Sequence, residues 1–394
     1  MSAYGRTMLR HWPLDPAGAY LNHGTVGATP VPVLAAQQRL RDEMERAPAR
    51  FVLREVSGVH PAPWRSESRL REAIRPVAAF VNAEPSDLVF VTNVTTGMNA
   101  VLQSVQLVTG DEILITALAY GAVTLAARAA AHRRGATVRT IAPAFPPRSS
   151  GEIVGAVRDA LQARTRLVVI DHVTAMTALV LPVAEIAAIC RVRGVPVLVD
   201  GAHAPGSVDV DITALGVDYY AANLHKWALA PRSCGILWAR PDRQDNLHHP
   251  IVSWGHGKGF LAEFEDHATY DPTCALAAPA GLALLQEWGW PAAREYMHAL
   301  ARDAARHLTD RWGTAIATPD SMIGAMVTVP LPARAGATDA DATRLRLALL
   351  EEERIEVQMH AWQGGLWARV SCQIYNELAD VERLADAVLR RSDG

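Results

Sequence analysis

The stretch VLVDGAHAPGSVDVDITALGVDYYAANLHKWALAP, residues 197–231, decides the fold. It opens on an apolar run that ends at Asp200. A strand with no polar position along it is buried on both faces, as in a parallel sheet covered by helices on either side. Open sheets of this kind place ligand-binding groups at the carboxyl tips of their strands. His203 follows the tip closely. Lys226 comes after a further short strand, within Asn223-Leu224-His225-Lys226-Trp227.

Outward from this stretch the pattern repeats. Short apolar runs at 88–91, 113–116, 137–141, 167–170, 195–199 and 235–238 read as buried strands. Helical periodicity fills most of the gaps, at 97–106, 122–133, 153–163 and 183–193. Strands alternating with helices predict an α/β fold with a mostly parallel central sheet and helices on both faces. After Pro250 the pattern changes. Residues 256–271, rich in Gly, His and charge, read as a loop. Two long helices, strands near 324–329, 355–359 and 367–371, and a last helix then suggest a smaller α+β C-terminal domain. The expected division is an N-terminal arm, 1–30, joining the small domain; a large domain, 31–270; and the small domain, 271–394.

Composition narrows the function. The chain has 394 residues, 50% hydrophobic and 20% charged, enough apolar material for a full core. Lysine and arginine number 38 against 41 aspartates and glutamates, a net charge of −3, which argues against nucleic acid as a partner. No apolar run approaches the roughly 18 residues that span a bilayer, and the first residues lack the apolar segment of a secretory leader. No membrane association is expected, and a cytoplasmic location is. Cys190, Cys234, Cys274 and Cys372 lie far apart, without a CxxC pair, and read as buried free thiols. His248, His249 and His256 raise the question of a metal. No carboxylate or cysteine stands near them at helical ligand spacing, so a solvated loop is expected and no metal.

A carboxylate at a strand tip and a lysine in the next strand's loop suit pyridoxal phosphate. The lysine can form a Schiff base with the aldehyde, and the aspartate can keep the pyridine nitrogen protonated. The cofactor also needs an anion cradle. In FVTNVTTGMNA a strand leads to Thr95-Thr96-Gly97 and then a helix, bringing hydroxyls and free amides to a positive helix end. Each feature alone has an ordinary explanation: a helix cap, a solvated lysine, a capping sequence. Together, in this order on such a fold, they are far more specific.

These segments resemble the class V aminotransferase-like group of fold-type I pyridoxal phosphate enzymes. The likeness is greatest to the isopenicillin N epimerase and ergothioneine-pathway C–S lyase branch, which includes lincosamide-pathway enzymes. LNHGTVGATPVPV, TNVTTGMNAV, AYGAV, DHVTAMTALVLPV, VDGAHAPG, NLHKW and RVSCQIYNELADVERLADAV carry the resemblance across nearly the whole chain. It implies that Lys226 is the Schiff-base lysine and the acid/base at the substrate Cα. Asp200 would pair with the pyridine nitrogen and His203 with the phenolic oxygen. Thr95, Thr96, Asn223 and His225 would hold the phosphate, and Tyr120 would stack near the ring. Arg369 would grip the substrate carboxylate, with Asn22 and His23 near the substrate mouth. The relatives' Gly-Thr-Arg-Asp segment, which crosses a dimer interface to the partner's phosphate, is Ala268-Thr269-Tyr270-Asp271 here. A homodimer with the active site at its interface is implied, with Thr269 at the phosphate. Tyr270, in place of arginine, marks a changed substrate pocket. Met176, in the segment that follows Asp171, is read as packing.

The resemblance implies C–S bond cleavage by β-elimination on an S-substituted cysteine conjugate, in a lincosamide- or ergothioneine-type antibiotic or secondary pathway. Oxygen-dependent decarboxylating oxidative deamination of such a conjugate and epimerisation of an amino acid remain open. Desulfuration needs a mobile nucleophilic cysteine, and Cys372 lies in a strand pattern. A non-catalytic binding module would not need the lysine, aspartate and arginine together.

Overall fold

The computed structural model describes residues 4–57 and 62–392. Its central element is a seven-stranded sheet of order β2-β8-β7-β6-β5-β3-β4. The strands are β2 (Leu88–Val91), β3 (Glu112–Thr116), β4 (Thr137–Ile141), β5 (Thr165–Asp171), β6 (Val197–Gly201), β7 (Tyr219–Asn223) and β8 (Gly235–Ala239). Strands β3 to β7 pair in parallel, and β8 runs against both its neighbours.

The unbroken apolar runs follow from this burial. In β5, Leu167 and Val169 join one hydrophobic cluster while Val168 and Ile170 join another. In β6, Leu198 faces the first cluster, and Val197 and Val199 the second. Side chains alternate across a strand, so both faces of this sheet pack under helices and neither tolerates a polar position.

Register then places the strand tips. Asp171 pairs with Asp200, and Asp200 with Ala221, so the carboxyl ends of β5, β6 and β7 lie in one row. Helix Val94–Ser104 starts three residues earlier than the sequence reading placed it. The Asn93 side chain accepts from the Thr96 amide, so Thr95 and Thr96 lie in the first helical turn rather than ahead of it.

A second sheet, of order β11-β12-β9, is antiparallel. It comprises β9 (Met326–Pro330), β11 (Gln358–Trp362) and β12 (Gly365–Ser371). Helices Trp290–Trp312, Asp339–Glu353 and Leu378–Ser392 contribute to its core. The chain start joins this unit through β1 (Ala19–Tyr20), which pairs in parallel with β10 (Ile355–Glu356). Residues 256–271 are not wholly loop. Phe260–Glu265 forms a short helix because Phe260 and Phe264 recur at helical spacing and are buried. No helix among the described residues is long and apolar enough to cross a membrane.

Candidate active site

A cavity of about 360 Å³ opens at the row of strand tips. Asp171, Asp200 and Asn223 line it from the central sheet, and Thr95 from the first turn of the helix after β2. His203, His225 and Lys226 line it from the loops that follow β6 and β7. Arg369 enters from β12, and Tyr120 from the start of helix Gly121–Arg133.

The lysine loop is held by backbone contacts that only glycine allows. Gly206 has φ +89°, and a Cβ there would stand 2.2 Å from the Trp227 carbonyl oxygen. Gly27 has φ +68°, and a Cβ there would stand 2.2 Å from the His225 carbonyl oxygen. Side chains at these two points would push Lys226 out of place.

Lys226 Nζ lies 3.1 Å from His203 Nε2. Burial, reinforced by the nearby Arg369 guanidinium, lowers the lysine to about 7. Its amine is therefore substantially neutral, and nucleophilic, near physiological pH. Asp200 and Asp171 are both buried and both raised, Asp200 by desolvation and Asp171 by desolvation and then the charge of Asp200. Two adjacent buried carboxyls with one amide donor on Asp200, from Ala202 at 2.9 Å, form a floor short of positive charge. Burial and then the charge of Lys226 keep His203 neutral, and its Nδ1 has no hydrogen-bond partner among the described residues.

At the anion end, the Asn223 side-chain oxygen accepts from the Val94 amide at 2.9 Å. The His225 ring is fixed against the Cys234 backbone, with Nδ1 2.7 Å from the carbonyl, and burial lowers it to about 4. At the rim, Arg369 donates to the Ala175 carbonyl at 2.5 Å and to Thr25 Oγ1 at 2.6 Å. Its Nε is buried and has no hydrogen-bond partner among the described residues. Burial lowers Arg369 to about 10, which still leaves it cationic at neutral pH.

A group with a basic ring nitrogen, a polar ring oxygen, an aldehyde and a phosphate matches what this cavity offers: acidic floor, orphaned imidazole nitrogen, neutral amine, and helix start with amide and hydroxyl donors. The aminotransferase class-V family model matches residues 28–384. The chain belongs to that family. A probable chloroplastic L-cysteine desulfhydrase of Arabidopsis thaliana is 34% identical over 95% of this chain and 83% of its own length. Isopenicillin N epimerase of Streptomyces clavuligerus is 33% identical over 95% of each chain. Among solved structures, a cysteine desulfurase from Escherichia coli superposes with a TM-score of 0.77 at 21% identity, covering 98% of each chain. A cystine C–S lyase with its product cysteine persulfide superposes at 0.75 and 24% identity, over 95% of this chain and 97% of that one. The architecture is fold-type I, and pyridoxal 5'-phosphate is the cofactor that class-V membership indicates.

The remaining sequence candidates fall in different places. Thr96 sits behind Thr95, with its hydroxyl 2.7 Å from that of Thr92. Asn22 stands behind Arg369 and donates to Glu356 at 2.8 Å. His23 does not line the cavity. It is fully buried, with its ring on the Tyr375 hydroxyl at 2.9 Å and the Lys226 carbonyl at 3.0 Å, so it braces the lysine backbone. Thr269 and Tyr270 line a separate cavity of about 310 Å³, with Leu53 and Trp254. Met176 is 39% exposed and lines the active-site cavity rather than serving only as packing. Cys372 is fully buried.

Sequence reasoning missed Asp171, Thr25 and Gln358, all on the cavity wall of this class-V chain. Asp171 ends an apolar strand as Asp200 does, and that parallel was the available signal. Gln358 pairs in register with Arg369, which becomes visible only once β11 and β12 are aligned.

Proposed function

We propose that this chain is a pyridoxal phosphate-dependent lyase that cleaves the C–S bond of an S-substituted cysteine conjugate. The observation that carries the reading is a buried lysine, lowered to about 7, in the same cavity as a buried, cationic arginine. When bound, pyridoxal phosphate supplies a sink for the electron pair left at a substrate Cα. Asp200 would hold its ring nitrogen and His203 its phenolic oxygen. Thr95, Asn223 and His225 would hold its phosphate, with Thr96 behind them in the same helical turn, and Tyr120 would cover the ring.

The chain's own residues then divide the work. Arg369 is a fork matched to an α-carboxylate, and fixing that group decides which Cα bond is presented for cleavage. The neutral amine of Lys226 takes the Cα proton. The C–S bonding pair leaves with sulfur, which is protonated to a thiol. In balance, conjugate and water give thiol, pyruvate and ammonia. Curated relatives named as cysteine desulfhydrases and as a hercynylcysteine sulfoxide lyase support sulfur loss. Cys372 is buried and its thiol pKa is raised by burial, which argues against a persulfide carrier at that position. The isopenicillin N epimerase relatives favour a second reading, in which the same proton returns to Cα.

A homodimer completes this reading. Ile251, Val252 and Trp254 are 58%, 73% and 79% exposed, an apolar patch beside Thr269 that suits a second copy. Thr269 would then reach the partner's phosphate, with Tyr270 shaping the pocket. Trp254→Glu should shift the dimer to monomer in analytical ultracentrifugation.

The deciding experiment incubates the cofactor-loaded protein with an S-alkyl or S-glycosyl cysteine and identifies products by mass spectrometry, with and without oxygen. Thiol, pyruvate and ammonia without oxygen are expected. Carbon dioxide release with oxygen uptake would replace the lyase reading with oxidative deamination. Deuterium gained only at Cα would leave epimerisation.

A further inference from the structure

We propose that His248, His256 and Glu263 form a zinc site that clamps the loop before helix Phe260–Glu265. The expectation of no metal rested on ligand spacing along a single helix. The structure supplies the missing carboxylate by folding the loop back: Glu263 lies on the short helix, and the two histidines lie on the loop that precedes it.

One ligand atom from each of the three residues lies within 4.8 Å of the others. His248 Nδ1 stands 3.0 Å from a Glu263 oxygen, and His256 Nδ1 stands 3.7 Å from the other. Tetrahedral zinc with bonds of about 2.0–2.1 Å separates its ligand atoms by about 3.3 Å, so the two His–Glu distances are already close and the exposed imidazoles must turn by up to about 1.5 Å to close the set. The set of two imidazoles and a carboxylate is one that zinc favours. Glu263 is 5% exposed on its side chain, while the histidines are 46% and 50% exposed, leaving a position open to water.

The carboxylate is also oriented from behind. Glu263 accepts from the Gly257 amide at 3.0 Å and from the His249 amide at 3.3 Å. Such support fixes a metal ligand in place. It also gives Glu263 a purely structural use, in which His248 alone pairs with it. His256 separates the two uses. Its ring makes no hydrogen bond among the described residues; it stands 3.7 Å from Glu263 and tilts against the His248 ring at 5.4 Å, so metal binding would depend on it more strongly than ring packing alone.

The site adjoins the segment that carries Thr269 and Tyr270. His249, next to His248, stacks on His267 at 4.5 Å, and His267 stacks on Tyr270 at 4.6 Å. A metal held at His248 and Glu263 would therefore steady the base of that ladder.

The test uses full-length, cofactor-loaded protein freed of any purification tag. Zinc binding is measured by equilibrium dialysis with elemental analysis. About one zinc per chain at low-micromolar free metal is expected, with a rise in Tm on adding zinc. His256→Ala should weaken binding at least about tenfold and shrink the Tm rise, while leaving the metal-free Tm and the cofactor absorbance unchanged. Two results would overturn the proposal: no stoichiometric zinc in the wild type, or wild-type affinity retained in the His248→Ala/His256→Ala double variant. The second would place the metal elsewhere, on the cofactor or on a thiol.

Discussion

Asp171, Asp200 and Asn223 sit side by side at the ends of neighbouring parallel strands. Arg369 reaches the same cavity from another sheet and is positioned by Asn22 and Thr25 near the chain start. The floor is a product of local register, and its groups owe their properties chiefly to desolvation. The rim is a product of long-range assembly, and its central charge depends on polar neighbours from two distant segments, Asn22 with Thr25 and Ala175. On the proposed function, the floor would govern whether chemistry occurs, and the rim which molecule it acts on.

Substitution at each level can break that contrast. On the floor, Lys226→Ala should cut turnover by more than about 10³-fold in a steady-state assay. A variant retaining wild-type turnover would end the floor's claim to the chemistry. At the rim, Arg369→Ala should cost about 2–5 kcal/mol in kcat/KM, on the order of 30- to 5,000-fold, mostly through KM. An unchanged KM would move the carboxylate contact elsewhere.

The floor also predicts a pH dependence. Lys226, lowered from 10.5 to about 7, is protonated below that pH and has no lone pair to attack an aldehyde. The rate at which cofactor-free protein is covalently loaded should rise about 50-fold from pH 5 to 7 and then level off. A rise continuing beyond pH 9 would show an ordinary, solvated lysine. Lysines occur only at 226 and 258, so borohydride reduction and peptide mapping will locate the attachment directly. Thr25→Val removes one neutral partner of Arg369 and should lower kcat/KM by roughly 5-fold, about 1 kcal/mol. The smallest effect belongs to neither region: Cys372→Ala should leave turnover within about twofold, and a complete loss would revive a sulfur-carrying role.

Much of the floor was legible because its residues lie close together along the chain. Asp200, His203 and Lys226 occupy one stretch, and apolar strands announce their own tips. Six of the seven strands of the central sheet were read to within a residue or two for the same reason. Thr25 and Gln358 were not legible, because nothing short of the assembled sheets brings either to Arg369. His23 looked like a pocket residue from its neighbours in sequence, yet packing turned its ring onto the lysine backbone. Glu263 was missed as a partner of His248 because the helix that returns it was read as loop.

The pairing of the chain start with the second sheet imposes an order in time. Thr25 leaves the ribosome 344 positions ahead of Arg369. At about 5–20 residues per second the interval is roughly 20–70 s. Throughout it, the opening arm has neither β10 to pair with nor a guanidinium to hold. The large sheet can form and enclose its acidic floor while the growing chain is still tethered. The wall that carries Arg369 closes later, so on the proposed reading a nascent chain would complete the floor well before the rim.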